Sequence, residues 1–235
     1  MKQVALITGA SRGLGRDLAF RLSNLDYIVI INYCRPRENE DSVTIPCNDS
    51  ISIRADVGDG EAVKAMGDII MNRFGRLDVI INNAGITRDG LLINYNEKDW
   101  DDVLRVNLKG CYNVIKYLSP IMIGSGGGQI INIASRSGLR GKAGQAAYSA
   151  SKAAIIGMTY SLAKEMAPHN IKVNCIVPGY MPTEMGKSSI KAMEMAKKES
   201  ELNLLTETGD VFFILEALLK SNSITGQVLS VDSRI

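Results

Sequence analysis

Residues 4–25 read as strand, glycine turn and helix with nothing between them. Val4-Ala-Leu-Ile-Thr8 is a short apolar run with strand character. It passes directly into Thr8-Gly-Ala-Ser-Arg-Gly-Leu-Gly15, after which Leu14, Leu18, Leu22 and Leu25 recur at helical spacing. A turn of this kind binds a dinucleotide pyrophosphate. Gly9 permits the tight bend, Gly13 and Gly15 allow close approach of backbone and helix, and Ser11, Arg12 and Leu14 complete the loop. The helix N-terminus adds free N–H groups and the positive end of a dipole. The spacing is Gly-x-x-x-Gly-x-Gly rather than the commoner Gly-x-Gly-x-x-Gly, and alone it would suit an ordinary glycine turn.

The remaining sequence continues the alternation, which argues for one parallel sheet with helices on both faces, a doubly wound α/β domain of Rossmann type. Strands are expected at Tyr27–Asn32, Ile51–Ala55, Leu77–Asn83, Gln129–Ala134, Ile171–Val177 and Gln227–Val231. Helices are expected through Ala62–Phe74, Trp100–Leu118, from about Ala147, and through Val211–Leu219. Residues 33–50 carry no helical period, so that crossover reads as irregular. No linker or repeat divides the 235 residues, and one domain is the simplest count. Net charge is +2, which implies neither a nucleic-acid nor an anionic-membrane partner. No apolar run approaches membrane-spanning length. Cys34, Cys47, Cys111 and Cys175 are scattered and His169 is the only histidine, so neither a metal nor a Ser-His-Asp hydrolase is expected. The chain reads as cytoplasmic and reduced.

Tyr148 and Lys152 stand four residues apart, one face of the helix near Ala147, with Ser135 thirteen residues upstream at a strand end. An ammonium beside a phenol is expected to lower its pKa and make a proton donor and acceptor for a carbonyl or alcohol oxygen. Ser135 can offer a hydroxyl to the same oxygen, and Ser137 reads as its structural neighbour. Asn107 lies on the apolar stripe of its helix, where a buried amide needs partners.

Taken together, Thr8–Gly15, Asp56-Val57, Asn82-Asn-Ala-Gly85, Asn107, Ser135, Tyr148, Lys152 and Pro178-Gly179 resemble the short-chain dehydrogenase/reductases of the classical type, in family order and spacing. Asn83-Ala-Gly-Ile-Thr-Arg-Asp-Gly-Leu-Leu92 is most similar to the 3-oxoacyl-acyl-carrier-protein reductases. The resemblance implies a tetrad in which Tyr148 protonates the substrate oxygen, Ser135 orients it, Lys152 tunes Tyr148 and binds the nicotinamide ribose, and Asn107 supports a proton relay. It implies that Asp56 and Val57 meet the adenine and that Asn83, Ala84 and Gly85 run beside the adenosine ribose. Pro178, Gly179, Met181 and Thr183 would border the nicotinamide, ahead of a lid over about 181–205.

The cofactor is expected to be NADPH, because Asn32 replaces the acidic residue an NAD site wants, while Arg12 and Arg35 or Arg37 can meet a 2′-phosphate. The favoured substrate is a 3-oxoacyl thioester. A sugar, polyol or steroid alcohol dehydrogenase, and a non-enzymatic dinucleotide-binding scaffold, are the alternatives. A homotetramer is implied, with Asp232-Ser233-Arg234 in place of the usual Asp-Gly-Gly ending. Gly126 and His169 fall where those reductases carry two arginines for an acyl carrier protein, so carrier docking is expected to be atypical.

Overall fold

The computed structural model describes residues 2–35, 50–184, 186 and 190–234. Seven strands, β1 (Val4–Ile7), β2 (Ile28–Tyr33), β3 (Ile51–Arg54), β4 (Val79–Asn82), β5 (Gly128–Ile133), β6 (Ile171–Pro178) and β7 (Val228–Val231), form one sheet in the order 3-2-1-4-5-6-7. Every pairing is parallel. The strand order reverses between β1 and β4, and a crevice opens there beyond the strand C-termini. The expected Rossmann-type sheet is therefore present, with strand boundaries within one or two residues of expectation. Arg37 and most of the 33–50 segment, expected to be irregular, lie outside the described residues.

The apolar runs of the central strands are buried on both faces. In β1, Val4 and Leu6 enter one core with Met66 and Ile70 of α2 (Gly60–Phe74), while Ala5 and Ile7 enter the other with Leu18 and Leu22 of α1 (Gly13–Ser23). Asp59 caps α2 by accepting from Glu61 N and Ala62 N, and Gly75 ends it at φ 66. The expected Trp100–Leu118 helix is a composite. Its parts are α3 (Glu97–Leu104), a single π turn (Arg105–Lys109) and α4 (Gly110–Gly124). Beyond β5 come the short α5 (Arg136–Arg140) and the long α6 (Ala146–Met166). After β6 come α7 (Ile190–Lys198) and α8 (Thr208–Lys220), the latter opened by a capping box of Glu207 and Asp210.

Candidate active site

A cleft of about 1720 Å3 follows the C-terminal ends of the strands. That exceeds a typical small-molecule pocket of roughly 300–1,000 Å3 and leaves room for a dinucleotide and a second ligand. All the residues expected to hold cofactor border it, from Gly9 through Thr183, as do Ser135, Tyr148 and Lys152. Asn107 stands behind the wall. A Cβ placed on Gly85 would lie 3.3 Å from Asn107 Oδ1 and 3.6 Å from Lys152 Nζ, so one glycine of the wall has both groups at its back.

The glycine turn is fixed by crowding. Gly9 has φ +63, and a Cβ there would lie 2.8 Å from the Ala84 Cα. A Cβ on Gly15 would lie 2.5 Å from Asn83 Nδ2 and 2.8 Å from Gly9 O. The N-cap of α1, Arg12, makes no side-chain capping bond, and no acidic residue occupies the first turn. The leading amides and the dipole end are thus left for an anion, which fits a dinucleotide pyrophosphate. Thr8, which sequence reasoning left as the last residue of the first strand, organises the crossing. Its hydroxyl accepts from both Asn83 N and Ala84 N at 3.0 Å.

Two residues expected to touch the adenosine are turned inward. Asn83 Nδ2 donates to Thr8 O at 2.9 Å and Gly9 O at 3.2 Å, pinning β4 to the turn. Asn32 is buried; its amide donates to Ala55 O at 3.0 Å and accepts from Gly9 N at 3.4 Å. Its side chain holds three strand ends together, and its carbonyl accepts from Ala10 N at 2.9 Å. Leu14 and Val57 are likewise packed in the two cores. Asp56 accepts from Gly58 N at 2.8 Å and from Arg105 at 2.8 Å. Arg35 is exposed, and among the described residues the end of β2 carries no acid, only Tyr33, Cys34 and Arg35.

At the other end, Ser135 ends the β5 segment and caps α5 by accepting from Ser137 N at 3.2 Å. The Ser137 hydroxyl donates to Gln145 Oε1 at 2.9 Å, and Gln145 reaches Asp89 at 3.1 Å. Lys152 is buried and donates to the Ile133 carbonyl at 2.8 Å, with its nitrogen 5.8 Å from the centre of the Tyr148 ring. Burial pulls the Lys152 pKa down to about 8, against small opposing effects of Cys111 and Cys175. The Tyr148 pKa is raised, chiefly by burial and slightly by Asp89, while the Ser135 hydroxyl hydrogen-bonded to it pulls it down. In place of the lowered phenol expected from the Tyr–Lys spacing, burial raises it, and the Lys152 ammonium, donating to a strand-end carbonyl, does not offset this. A phenol held protonated beside a hydroxyl is a proton donor to an oxygen in the cleft. The thiols of Cys111 and Cys175 are pushed up to about 12 and about 11 by burial and stay protonated at neutral pH.

Asn107 explains the π turn. Its Oδ1 accepts from Ile86 N at 2.8 Å, and its Nδ2 donates to Ile86 O at 3.0 Å and to Ser151 Oγ at 3.0 Å. Ser151 in turn donates to the Tyr148 carbonyl at 2.7 Å. A buried amide on an apolar stripe therefore has all its partners, and they tie the β4 loop to the helix of Tyr148 and Lys152. Ser151 was missed by sequence reasoning; the only signal was a small polar residue on the buried face of that helix.

Met181 packs against the α1/α8 core, and a Cβ on Gly13 would lie 3.6 Å from Thr183. The segment after α7 is clasped to the chain's last described residues. Asp232 receives Arg234 at 2.7 Å and Arg136 at 3.7 Å, and Arg136 donates to Arg234 O at 2.7 Å. Ser200 and Ser233 hydroxyls are 2.6 Å apart. Gly126 and His169, by contrast, precede β5 and β6 at the opposite rim of the sheet and do not border the cleft.

Among the described residues no group of three or more His, Cys, Asp or Glu could hold a metal ion, and no helix is long and apolar enough to cross a membrane. The chain is similar to proteins named 3-oxoacyl-acyl-carrier-protein reductase from several bacteria. It is 40% identical to that of Staphylococcus aureus over 239 residues, covering 99% of this chain and 97% of the relative. It is 37% identical to that of Staphylococcus epidermidis, covering 99% and 98%, and 38% identical to that of Thermotoga maritima, covering 98% and 96%. The family model for the short-chain dehydrogenases matches residues 3–194, from the first strand into α7. A pyrophosphate turn at one end of the cleft, a Tyr–Lys–Ser group at the other and this continuous likeness have one explanation: the chain belongs to the short-chain dehydrogenase family.

Proposed function

We propose that the protein reduces a 3-oxoacyl thioester to the 3-hydroxyacyl thioester with NADPH, as an oxidoreductase of the 3-oxoacyl-acyl-carrier-protein reductase type serving fatty-acid synthesis in the cytoplasm. The observation that carries this reading is the end-to-end likeness to reductases of that name, in a chain that keeps Asn107, Ser135, Tyr148 and Lys152 in one connected group. The bound nicotinamide dinucleotide supplies a hydride to the ketone carbon. Tyr148 gives the proton to the ketone oxygen, and Ser135 orients that oxygen. Lys152 holds the nicotinamide ribose and, with Asn107, lies on the path that restores the proton. NADPH is preferred because the end of β2 offers arginine where an NAD site needs an acid, and because Arg12 stands across the turn.

A homotetramer is the assembly in this reading. Its support is the outward face of α6, where Ala150, Ala153 and Gly157 are exposed, together with exposed Tyr112 and Ile123 on α4 and Phe213 on α8. The deciding experiment follows NADPH absorbance with acetoacetyl-CoA beside a panel of sugars, polyols and steroids. Reduction of acetoacetyl-CoA with NADPH, and at least ten-fold less with NADH, is the expected result. Turnover of a panel alcohol or ketone without the thioester would transfer the enzyme to another substrate class.

A further inference from the structure

The basic side chains of the cleft fall into two groups, and most have an acidic partner. Arg88 lies 3.5 Å from Asp99, Lys98 lies 2.9 Å from Asp102, and Arg105 lies 2.8 Å from Asp56. Arg136 and Arg234 share Asp232, and Arg12 is 3.8 Å from Glu184. Among the described residues, the exposed basic groups that border the cleft without a carboxylate are Arg35, Arg140 and Lys142; Lys152 also lacks one but is buried and donates to a carbonyl. Arg35 belongs to the adenosine end. Arg140 and Lys142 stand at the opposite end, on either side of Gly141 at φ +68, where the short helix that begins beside Ser135 runs out. Both are exposed. Lys142 reaches the ring of Tyr180, 5.6 Å from its centre, so the pair spans the mouth from the α5–α6 loop to the segment after β6. Both lie at or beyond the far end of that helix from Ser135, with exposed side chains at the cleft mouth and outside the reaction itself.

We propose that Arg140 and Lys142 form a phosphate-binding subsite for the phosphopantetheine arm of the substrate; this rests on the thioester reading above. A thioester carried by a protein or by coenzyme A bears that phosphate at the far end of the arm from the reacting carbonyl. A planar guanidinium and a mobile ammonium at the mouth match it by charge-assisted hydrogen bonds. Gly126 and His169 lie at the other rim, so within this chain the charge that holds the arm comes from this loop.

The test compares kcat/KM for acetoacetyl-phosphopantetheine and acetoacetyl-pantetheine, which differ only in the phosphate. The wild type is expected to favour the phosphorylated arm by roughly 10-fold, less as salt is raised. In the double variant Arg140→Ala/Lys142→Ala that ratio falls to about 1, whereas Arg140→Lys/Lys142→Arg, which keeps both charges, keeps most of it. Acetoacetyl-CoA and an acetoacetyl carrier protein should both lose efficiency in the alanine variant; loss with CoA alone would assign the pair to the coenzyme's nucleotide phosphates and overturn the proposal. A wild type that reduces both pantetheine thioesters equally well overturns it alone. A wild type that reduces none of the four overturns the substrate reading, and the subsite with it.

Discussion

Tyr148 and Lys152 are pushed in opposite directions by the same cause. Burial disfavours charge, so the phenol keeps its proton more firmly while the ammonium gives its proton up at about 8. Tyr148→Phe removes the donor and keeps the ring. It is expected to lower kcat by about 100- to 10,000-fold while NADPH affinity, measured by fluorescence titration, stays near wild type. Lys152 has a lowered folded-state pKa, so between about 8 and 10.5 the unfolded chain binds a proton that the folded chain does not. Stability contributed by this site therefore rises with pH across that window, and below it the buried ammonium is a cost. Lys152→Met should fare best against wild type at pH 7 and lose that relative advantage, on the order of 3 kcal/mol, as the pH approaches 10.5. Denaturant titrations at three pH values would show it, and a difference independent of pH would contradict the buried charge. In the same enzyme kcat/KM should fall on the alkaline side with a midpoint near 8, where the ammonium is lost.

The α3–α4 element shows what was legible beforehand and what was not. Its apolar stripe announced one long helix, and one continuous helix is there, but the π turn at Arg105–Lys109 is invisible to a period of 3.6. That turn is set by contacts far away in sequence, between Asn107 and Ile86 and between Asn107 and Ser151. Strands β1 to β6 were legible because buried parallel strands are plain apolar runs. The glycine turn was legible because Gly9 and Gly15 stand where a Cβ cannot. The inward turn of the Asn32 and Asn83 side chains was not legible, because motif position says nothing about which way a side chain turns. Ser151 was passed over because a serine on a buried helix face usually satisfies only its own helix. The element-scale prediction follows from that serine. Ser151→Ala strands one hydrogen of the Asn107 amide and should cost about 1–2 kcal/mol of stability. It should also lower kcat several-fold more than it changes KM for NADPH. The double variant with Asn107→Ala should fall short of the sum of the two single losses, since both break one link; strict additivity would separate them.

Across the whole molecule the parallel sheet sends the described residues expected to hold cofactor, with Ser135, Tyr148 and Lys152, to one rim, behind which Asn107 stands. Its other rim carries the turns that lead into β1, β5 and β6. The proposed NADPH preference belongs to this scale, because it would join Arg12 after β1 with Arg35 after β2. Arg35→Glu should bring NADPH and NADH efficiencies at least ten-fold closer, read as the ratio of kcat/KM, while an unchanged ratio would locate the discrimination elsewhere. The same division of rims has a practical side. His169 is the chain's sole histidine and is exposed at the rim without chemistry. An imidazole-selective reagent or label attached there reports on the protein without entering its cleft. The pH–rate profile should accordingly run level between pH 6 and 7, where enzymes that use an imidazole bend, and any inhibition by such a reagent would have to travel through the sheet or through a neighbouring subunit.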